Sequence, residues 1–495
     1  MTAIFKLPTS DILSCKNFVG NEFKVSEGEI IDVVSPYTGK VIGYVPQSTP
    51  EEIENAVKIS RWASVEWGRA TYKDRASYLF KFRNLLLENI EDLSMTAASE
   101  SGKTLAEARA EIMKGIEVVE YALSLQNKVQ SVGALEVSNG VSCKSSRVPI
   151  GVTVGITPFN FPAMVPMWLF PISLACGNTF IWKPSEKVPL TAHKISQLMQ
   201  HCGFPSGVFQ TLHGAREVVE NLVNSDLTNG IAFVGSSPVA KQIYSLASEK
   251  GKRSLCLGGA KNHIILVNDA DEEITVQGIV DSFTGCAGQR CMAASVLLAV
   301  GDTQNLIDLI TEKAASVEFL QKMGAIIDQS SHERICSMIE KAESDGAKIL
   351  LDGRKMSPPE GYEGGYWIGP TIVDQAKENM DCVQKEIFGP VLTICRVADL
   401  NEAIERENRH PYGNATSVFT SSGAVAEFVC KRASNGMIGI NIGVPVPREP
   451  FSFGGRKDSK FGHGDITGDG CLDFWTDLKK VTAKWGKLEQ KNWMS

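Results

Sequence analysis

Cys291 closes the run Gly288-Gln289-Arg290-Cys291 and is the residue whose chemistry the sequence offers most directly. A cysteine is a nucleophile in its thiolate form, which the neighbouring charge of Arg290 could favour. The chain has 12 cysteines, and most of them are expected to be small buried hydrophobic side chains. Cys291 is therefore a candidate for covalent catalysis, which requires other elements to position it.

One turn could hold an anionic group near such a nucleophile. Gly235-Ser236 precedes a helix that Pro238 is expected to begin, and backbone N–H groups at a helix N-terminus attract phosphate. An ordinary N-cap serine is the alternative at this position. The G-x-G-x-x-G pattern of many dinucleotide sites is missing from the chain.

The apolar spacing predicts amphipathic helices early in the chain and alternating strands and helices from residue 151 onward. This alternation predicts an α/β fold with a parallel, doubly wound sheet that binds ligands at the carboxyl ends of its strands. A second α/β region is expected from Asn262 to about Ile442, and Gly443 to Gly468 is expected to be an ordered loop near a site. The predicted helices are Glu51–Trp67, Tyr72–Ile90, Ala163–Ala175, Leu190–Gln200, Arg216–Val223 and Val239–Ser248, and the predicted strands are Val152–Ile156, Thr179–Trp182, Val208–Leu212, Ile231–Val234 and Ser254–Leu257.

Composition excludes several classes of protein. A chain of 495 residues is expected to form two or three domains, and its net charge of -7 argues against binding nucleic acid. The most apolar stretch, Ala163 to Ala175, is too short to span a membrane, and Met1 to Val19 resembles neither a signal nor a transit peptide. We therefore expect a cytoplasmic protein that binds neither nucleic acid nor membrane. No C-x-x-C or H-E-x-x-H motif indicates a metal site, and none is expected.

Five separated motifs carry a family resemblance over nearly the whole chain. In order and spacing they resemble the aldehyde dehydrogenase superfamily, and three further segments resemble its methylmalonate-semialdehyde dehydrogenases most closely. The five are Pro158-Phe159-Asn160-Phe161-Pro162, Lys183-Pro184-Ser185-Glu186, Phe233-Val234-Gly235-Ser236, Gly288-Gln289-Arg290-Cys291 and Glu386-Ile387-Phe388-Gly389-Pro390. The three are Gly259-Ala260-Lys261-Asn262-His263, Gly288-Gln289-Arg290-Cys291-Met292-Ala293 and Pro445-Val446-Pro447 with Phe451-Ser452-Phe453.

The resemblance implies a domain plan and a fold. It implies a Rossmann-type NAD-binding domain from residues 1–126 and 150–258, and an α/β catalytic domain from 259–456. It also implies a small oligomerisation part from 127–149 and 457–495, and hence a homodimer or a homotetramer.

The resemblance also implies the catalytic residues and the cofactor. Cys291 would form a thiohemiacetal and then a thioester with the aldehyde, and the side chain of Asn160 with the backbone N–H of Cys291 would stabilise the oxyanion. An asparagine that caps a loop is the alternative for Asn160. The expected cofactor is NAD, with contacts from Thr157, Phe159, Lys183, Glu186, Gly235, Ser236, Glu386 and Phe388.

Lys183 and Glu186 would bind the adenosine ribose, and the carboxylate would favour NAD over NADP. A solvated pair of charges three residues apart is the alternative.

The chain departs from the family pattern at Cys256. Hydrolytic aldehyde dehydrogenases carry a glutamate at this position, just before the Leu-Gly-Gly motif, where it activates water. A small buried thiol beside the site is the alternative for Cys256 itself. A cysteine does not replace a carboxylate base, and losing such a base costs roughly a hundred- to ten-thousand-fold in rate. The thioester is therefore expected to react with coenzyme A as co-substrate, which would give acetyl-CoA from malonate semialdehyde or propionyl-CoA from methylmalonate semialdehyde.

Two alternatives remain open. One is hydrolytic oxidation of another small aldehyde, for which Glu386 is the motif carboxylate expected nearby. The other is a scaffold without turnover. Arg290 and Lys114 are the candidates to bind the substrate carboxylate. The subfamily generally has an arginine where this chain has Lys114. A structural arginine and a surface lysine are the alternatives.

Overall fold

The computed structural model describes residues 13–485. Predictions that concern residues 1–12 and 486–495, including most of the amino-terminal stretch and the end of the last predicted segment, lie outside the described residues. Within residues 13–485, no helix combines the length and the apolar character needed to cross a membrane.

We number strands and helices in chain order. The strands are β1 Leu13–Ser14, β2 Asn17–Val19, β3 Glu22–Lys24, β4 Ile30–Val34, β5 Val41–Pro46, β6 Val132–Ser138, β7 Val141–Pro149, β8 Val152–Ile156, β9 Thr179–Lys183, β10 Phe209–Thr211, β11 Gly230–Val234, β12 Arg253–Leu257, β13 Asn262–Val267, β14 Ala294–Val300, β15 Lys348–Leu351, β16 Thr371–Asp374, β17 Val391–Val397, β18 Tyr412–Gly413, β19 Ala415–Phe419, β20 Met437–Ile440, β21 Arg456–Lys457, β22 Lys460–Gly462 and β23 Thr476–Lys484. The α-helices are α1 Pro50–Arg69, α2 Tyr72–Glu88, α3 Ile90–Ser101, α4 Leu105–Leu123, α5 Met164–Ala175, α6 Pro189–Cys202, α7 Arg216–Asn224, α8 Ser237–Glu249, α9 Glu272–Thr284, α10 Gln304–Ala315, α11 Gln329–Ser344, α12 Asp381–Gln384, α13 Leu400–Arg409, α14 Gly423–Arg432 and α15 Leu472–Trp475.

The first large sheet has the strand order β22-β12-β11-β8-β9-β10-β2-β3. Its five central strands, β12 to β10 in that order, are parallel, whereas β22 and β2 pair antiparallel at either side. Each predicted strand and helix of this region is present, with ends shifted by at most two residues. The predicted doubly wound α/β fold is therefore confirmed.

The helices around this sheet begin where the sequence provides caps. Capping threonines stand at the starts of α1, α2 and α4, namely Thr49, Thr71 and Thr104. Each hydroxyl accepts a hydrogen bond from the backbone N–H three positions on, and the carboxylate of that later residue accepts one from the backbone N–H of the threonine. All twelve residues of α5 are buried, including Pro171, so this apolar segment is a core helix, as predicted.

The second large sheet has the order β15-β16-β17-β14-β13-β19-β20 and is parallel except for β15. It covers the predicted second α/β region. The following segment is not all loop as predicted, because β21 and β22 lie within it and β22 pairs with β12 of the first sheet. Through this pairing the chain returns from the second large sheet to the edge of the first.

Smaller sheets complete the molecule. β6, β7 and β23 form an antiparallel three-stranded sheet, which brings the segment 127–149 against residues 476–484. Strands β1, β5 and β4 form another small sheet, and β18 pairs with β21.

Candidate active site

The backbone coils tightly before Cys291. Cys286 and Ala287 both have a φ of 51°, in the left-handed region, and Gly288 follows with a φ of 69°. A Cβ at Gly288 would lie 2.1 Å from the carbonyl oxygen of Gly389, so glycine is required there. The turn therefore places Cys291 at a fixed point between the second sheet and the segment around Gly389.

Two asparagines fix the peptide of Cys291. The Nδ2 atoms of Asn262 and Asn414 donate to the carbonyl oxygen of Cys291 over 2.7 and 2.9 Å. Asn262 begins β13, and Asn414 lies directly before β19. Asn262 belongs to one of the family motifs, but the sequence predicts no role for Asn262 or Asn414. Only the strand order brings these two asparagines together.

Cys291 lies on the wall between two cavities. The first has a volume of about 340 Å³ and the second about 480 Å³, and the side chains of Phe161 and Trp168 also line both. The first cavity is bounded by Phe159, Asn160, Gly235, Ser236, Leu257, Gly259, Glu386 and Phe388. One cysteine therefore borders both cavities.

Asn160 lies on the wall of the first cavity with Cys291. It is buried, and its Nδ2 donates to the carbonyl oxygen of Gln289 over 2.9 Å. An amide group carries two N–H donors, and this bond uses one of them. The bond orients the amide towards the segment that carries Cys291, which a purely local loop cap would not do.

The Cys291 thiol is not activated by its surroundings in this state. Burial raises its pKa to about 12, the charge of Glu386 acts in the same direction, and Arg290 lowers it by less. The Arg290 guanidinium donates to the carbonyl oxygens of Gly285 and Asp281, over 2.9 and 3.3 Å. The expectation that Arg290 would hold a thiolate is therefore not met, because desolvation outweighs it.

Glu386 is the only carboxylate that lines the first cavity within residues 13–485. Its Oε1 accepts a hydrogen bond from the backbone N–H of Ala260 over 3.0 Å, and burial raises its pKa. A Cβ at Gly259 would lie 2.4 Å from the Oε2 of Glu386. The glycine therefore makes room for this carboxylate.

Ser236 does not cap α8 through its side chain. It occupies the N-cap position with extended backbone, but its hydroxyl makes no hydrogen bond to the helix. The helix begins at Ser237, one residue before the predicted Pro238. Ser236 and Gly235 both line the first cavity, so the N-terminus of this 13-residue helix faces an open volume.

Phe159 and Phe388 lie on the same cavity wall, with ring centroids 5.8 Å apart and nearly perpendicular planes. Three other predicted cofactor residues do not line this cavity. Thr157 is buried and its Oγ1 accepts a bond from Trp182 over 2.8 Å. Lys183 is buried rather than solvated, and its Nζ donates to Glu186 over 3.3 Å; burial lowers its pKa.

The structure places Cys256 in the core, as the alternative of a buried thiol predicts. Cys256 is fully buried in an apolar cluster with Phe233 and Ile243, whereas Leu257 lines the first cavity with Cys291. Successive side chains of a strand point to opposite faces, so a shift of one position moves a residue from the cavity to the other side of the sheet. Leu257, the β12 residue that lines this cavity, is apolar.

One face of α4 holds three segments around Cys291. The carboxylate of Glu107 accepts from the Cys286 amide over 2.6 Å, and that of Glu111 accepts from Ala163 and Met164 over 2.8 and 3.1 Å. Lys114 donates to Glu449 over 2.8 Å. The spacing of these three α4 residues, i, i+4 and i+7, puts them on one face of a helix, a signal that the sequence contained.

Both predicted substrate residues line the second cavity. Arg290 and Lys114 lie there with Cys291, Met164 and Val446. Lys114 is not a free surface lysine, since it pairs with Glu117 as well as Glu449. Arg290 makes the backbone contacts described above, as a structural arginine would, while its side chain stays on the cavity wall.

The position of Cys291 between two cavities, on a doubly wound α/β frame, is typical of an enzyme that binds two small molecules beside one cysteine. The aldehyde dehydrogenase family model matches residues 23–481, and the chain belongs to that family. It is an oxidoreductase that acts on aldehydes.

Similar proteins carry more particular names. Malonate-semialdehyde dehydrogenase from Bacillus cytotoxicus is 39% identical over 485 residues, which cover 96% of this chain and 99% of the relative. Malonate-semialdehyde dehydrogenase 1 from Geobacillus thermodenitrificans is also 39% identical, over 96% of this chain and 100% of its own length. The chain is thus similar to malonate-semialdehyde dehydrogenases from end to end.

Solved structures agree with this. Methylmalonate-semialdehyde dehydrogenase from Oceanimonas doudoroffii superposes with a TM-score of 0.94 at 35% identity, covering 96% of this chain and 99% of that one. A candidate methylmalonate-semialdehyde dehydrogenase from Sinorhizobium meliloti 1021, in complex with NAD, has a TM-score of 0.95 at 34% identity, covering 98% and 100%. The predicted aldehyde dehydrogenase fold and subfamily resemblance are therefore confirmed.

Proposed function

We propose that the chain oxidises malonate semialdehyde or methylmalonate semialdehyde with NAD and transfers the acyl group from Cys291 to coenzyme A. The observation that carries the proposal is the position of Cys291 on the wall between two cavities. Strand β12, which borders the first cavity, contributes no carboxylate to it. The names of the relatives support the substrate. We also propose the domain division given above, a homodimer or homotetramer, and a cytoplasmic location.

The lining of the first cavity supports binding of the pyrophosphate and nicotinamide parts of NAD. Gly235, Ser236 and the N-terminus of α8 offer backbone N–H groups to a pyrophosphate, and the hydroxyl of Ser236 makes no helix contact. Phe388 and Glu386 line the same cavity beside Cys291. The S. meliloti structure contains NAD. When bound, NAD would supply the acceptor for the hydride that leaves the aldehyde carbon.

The chain's own residues would act on the aldehyde from the second cavity. The sulfur of Cys291 would bond to the carbonyl carbon as its proton passes to water, and the carbonyl oxygen would take the electron pair of the broken C=O π bond. The second N–H of Asn160 and the backbone N–H of Cys291 would stabilise that oxyanion. Arg290 and Lys114 are the candidates to hold the substrate carboxylate.

Acyl transfer to a thiol is favoured over hydrolysis by what surrounds Cys291. Leu257 provides no base for water, and Glu386 is engaged by the Ala260 amide. A thiol needs less activation than water to attack a thioester. Transfer to coenzyme A with loss of carbon dioxide would give acetyl-CoA from malonate semialdehyde and propionyl-CoA from its methyl homologue.

The test is NADH formation from malonate semialdehyde with and without coenzyme A, with Cys291→Ala as the blank. We expect one NADH per active site without coenzyme A and sustained turnover once it is added. Mass spectrometry of the trapped enzyme should find the acyl group on the peptide that contains Cys291. Equal steady rates in both conditions would favour the hydrolytic alternative with Glu386 as base, and no NADH with any aldehyde would favour a scaffold.

A further inference from the structure

The second cavity contains a lysine that is already engaged. Lys114 Nζ lies 2.8 Å from the Oε2 of Glu449 and 3.0 Å from the Oε2 of Glu117. The side chains of Lys114 and Glu449 are 18% and 10% exposed, whereas that of Glu117 is 42% exposed. The bond to Glu449 is thus shielded from water, and it is the stronger of the two.

Arg290 differs from Lys114 in this respect. Its guanidinium donates to two backbone carbonyl oxygens, and within residues 13–485 no carboxylate lies at ion-pair distance from it. A carbonyl oxygen satisfies an N–H donor but does not neutralise the charge. The positive charge of Arg290 is therefore uncompensated beside Cys291, while that of Lys114 is compensated by the protein itself.

Glu449 comes from the segment that follows β20, and it reaches Lys114 of α4 beside the cavity, which Lys114 and the preceding residue Arg448 line. A substrate carboxylate that approached Lys114 would have to displace it. Displacement would leave a largely buried Glu449 without its cation, which is costly. Arg290 imposes no such cost on an incoming carboxylate.

We infer that Glu449 is a specificity-determining residue, which occupies Lys114 so that a carboxylate in the second cavity is held by Arg290 without help from the lysine. The inference rests on the proposed function in that it concerns a carboxylated aldehyde at this site. It deepens that proposal, because Glu449 would limit the affinity of the enzyme for carboxylated aldehydes relative to neutral ones.

The experiment compares aldehydes of equal length with and without a carboxylate, namely malonate semialdehyde with propanal and succinate semialdehyde with butanal. KM here is the aldehyde concentration that gives the half-maximal rate of the NADH burst, which does not require acyl transfer. In Glu449→Gln, Lys114 is released, and KM for the carboxylated aldehydes should fall about five- to tenfold, the gain of one charge-assisted hydrogen bond. KM for propanal and butanal should change by less than about twofold, since neither aldehyde carries a charge.

Two further variants separate the inference from simpler effects. Glu117→Gln makes the same change of charge beside Lys114 but leaves the shielded bond. It also removes the exposed pair of Glu117 with Arg448, 3.6 Å apart. Because exposed pairs contribute little, its KM for the carboxylated aldehydes should fall by less than about twofold. In Lys114→Met/Glu449→Gln the gain should disappear, because the released ammonium is gone.

An equal fall in Glu117→Gln, a gain that survives the double change, or no fall in folded Glu449→Gln would each overturn the inference. If the Glu449→Gln protein does not fold, Glu449→Ala is judged by the same criteria. Failure of the wild type to accept malonate semialdehyde would count against the proposed substrate and leave the succinate semialdehyde comparison intact.

Discussion

At the residue scale, two neighbours on β12 have opposite surroundings. Leu257 lines the cavity that Cys291 also lines, and Cys256 packs among apolar side chains on the other face of the first sheet. If β12 were to supply a base for water, position 257 faces the cavity and position 256 belongs to the core.

Leu257→Glu should raise NADH turnover in the absence of coenzyme A, because the new carboxylate can activate water beside the thioester. A positioned base contributes on the order of a hundredfold or more, and we expect at least about tenfold in an imperfect geometry. The measurement is the steady rate with malonate semialdehyde and NAD alone.

Cys256→Glu is the matched control for that change. The same carboxylate would be buried without a cation, so the free energy of unfolding should fall by at least about 2 kcal/mol with no gain of hydrolysis. Hydrolysis in the position 256 variant and none in the position 257 variant would restore the original assignment of Cys256.

The thiol of Cys291 should react slowly in the free enzyme. Its raised pKa of about 12 means that the protonated form dominates at neutral pH, and the thiolate fraction grows as pH rises. Alkylation by iodoacetamide should therefore accelerate about tenfold per pH unit from roughly pH 7 to 10, whereas a small thiol levels off near its pKa of about 8.5. Peptide mass spectrometry measures it, and a rate independent of pH in this range would show a thiolate already present.

At the scale of elements, α4 connects parts of the chain that are far apart in sequence. Glu111 pairs with Lys103, both being buried, and caps the start of α5 through the Ala163 and Met164 amides. The Lys103 ammonium also lies 3.7 Å from the centroid of the Phe161 ring, which lines both cavities. Glu111 therefore positions the segment that carries Asn160.

Glu111→Leu should destabilise the fold and slow acylation. It leaves a buried ammonium and two amide groups unpaired, for which we expect a loss of about 3–5 kcal/mol in the free energy of unfolding. Urea unfolding measures the loss, and the NADH burst rate measures the effect on Asn160.

Arg109→Ala on the same helix is its control. The ion pair of Arg109 with Glu91 is exposed, so its removal should cost less than about 1 kcal/mol. Similar losses in both variants would show that the buried contacts of Glu111 stabilise the fold no more than an exposed ion pair does.

At the scale of the whole molecule, the three-stranded sheet of β6, β7 and β23 exposes apolar side chains. Val132, Leu135, Val137, Leu478 and Val481 are between 47% and 84% exposed. Several exposed apolar side chains on one small sheet are typical of association sites. The prediction of a homodimer or homotetramer therefore has a surface to which it can be assigned.

Leu135→Asp with Val481→Asp should shift the sedimentation coefficient towards that of a monomer, because two carboxylates would be desolvated in a closed interface. Cys291 alkylation in the monomer should be unchanged, which checks the fold. An unaltered sedimentation coefficient would place the interface elsewhere.

The sequence alone determined the local structure and predicted the nucleophile. Strong periodicity and caps fixed the helices and the parallel strands of the first sheet to within two residues, since these signals depend on neighbours along the chain. The motif around Cys291 and the family resemblance fixed the class of chemistry. Phe159, Gly235, Ser236, Glu386 and Phe388 do line one cavity with Asn160 and Cys291.

Only the tertiary structure decided which side chains face the site. The phase of β12, which separates Leu257 from Cys256, depends on what packs against each face of the sheet. The engagement of Lys114 by Glu449 joins residues 335 positions apart, and the raised pKa of Cys291 arises from burial by several elements at once. Contacts and desolvation of this kind depend on distance in space, which the order of residues does not reveal.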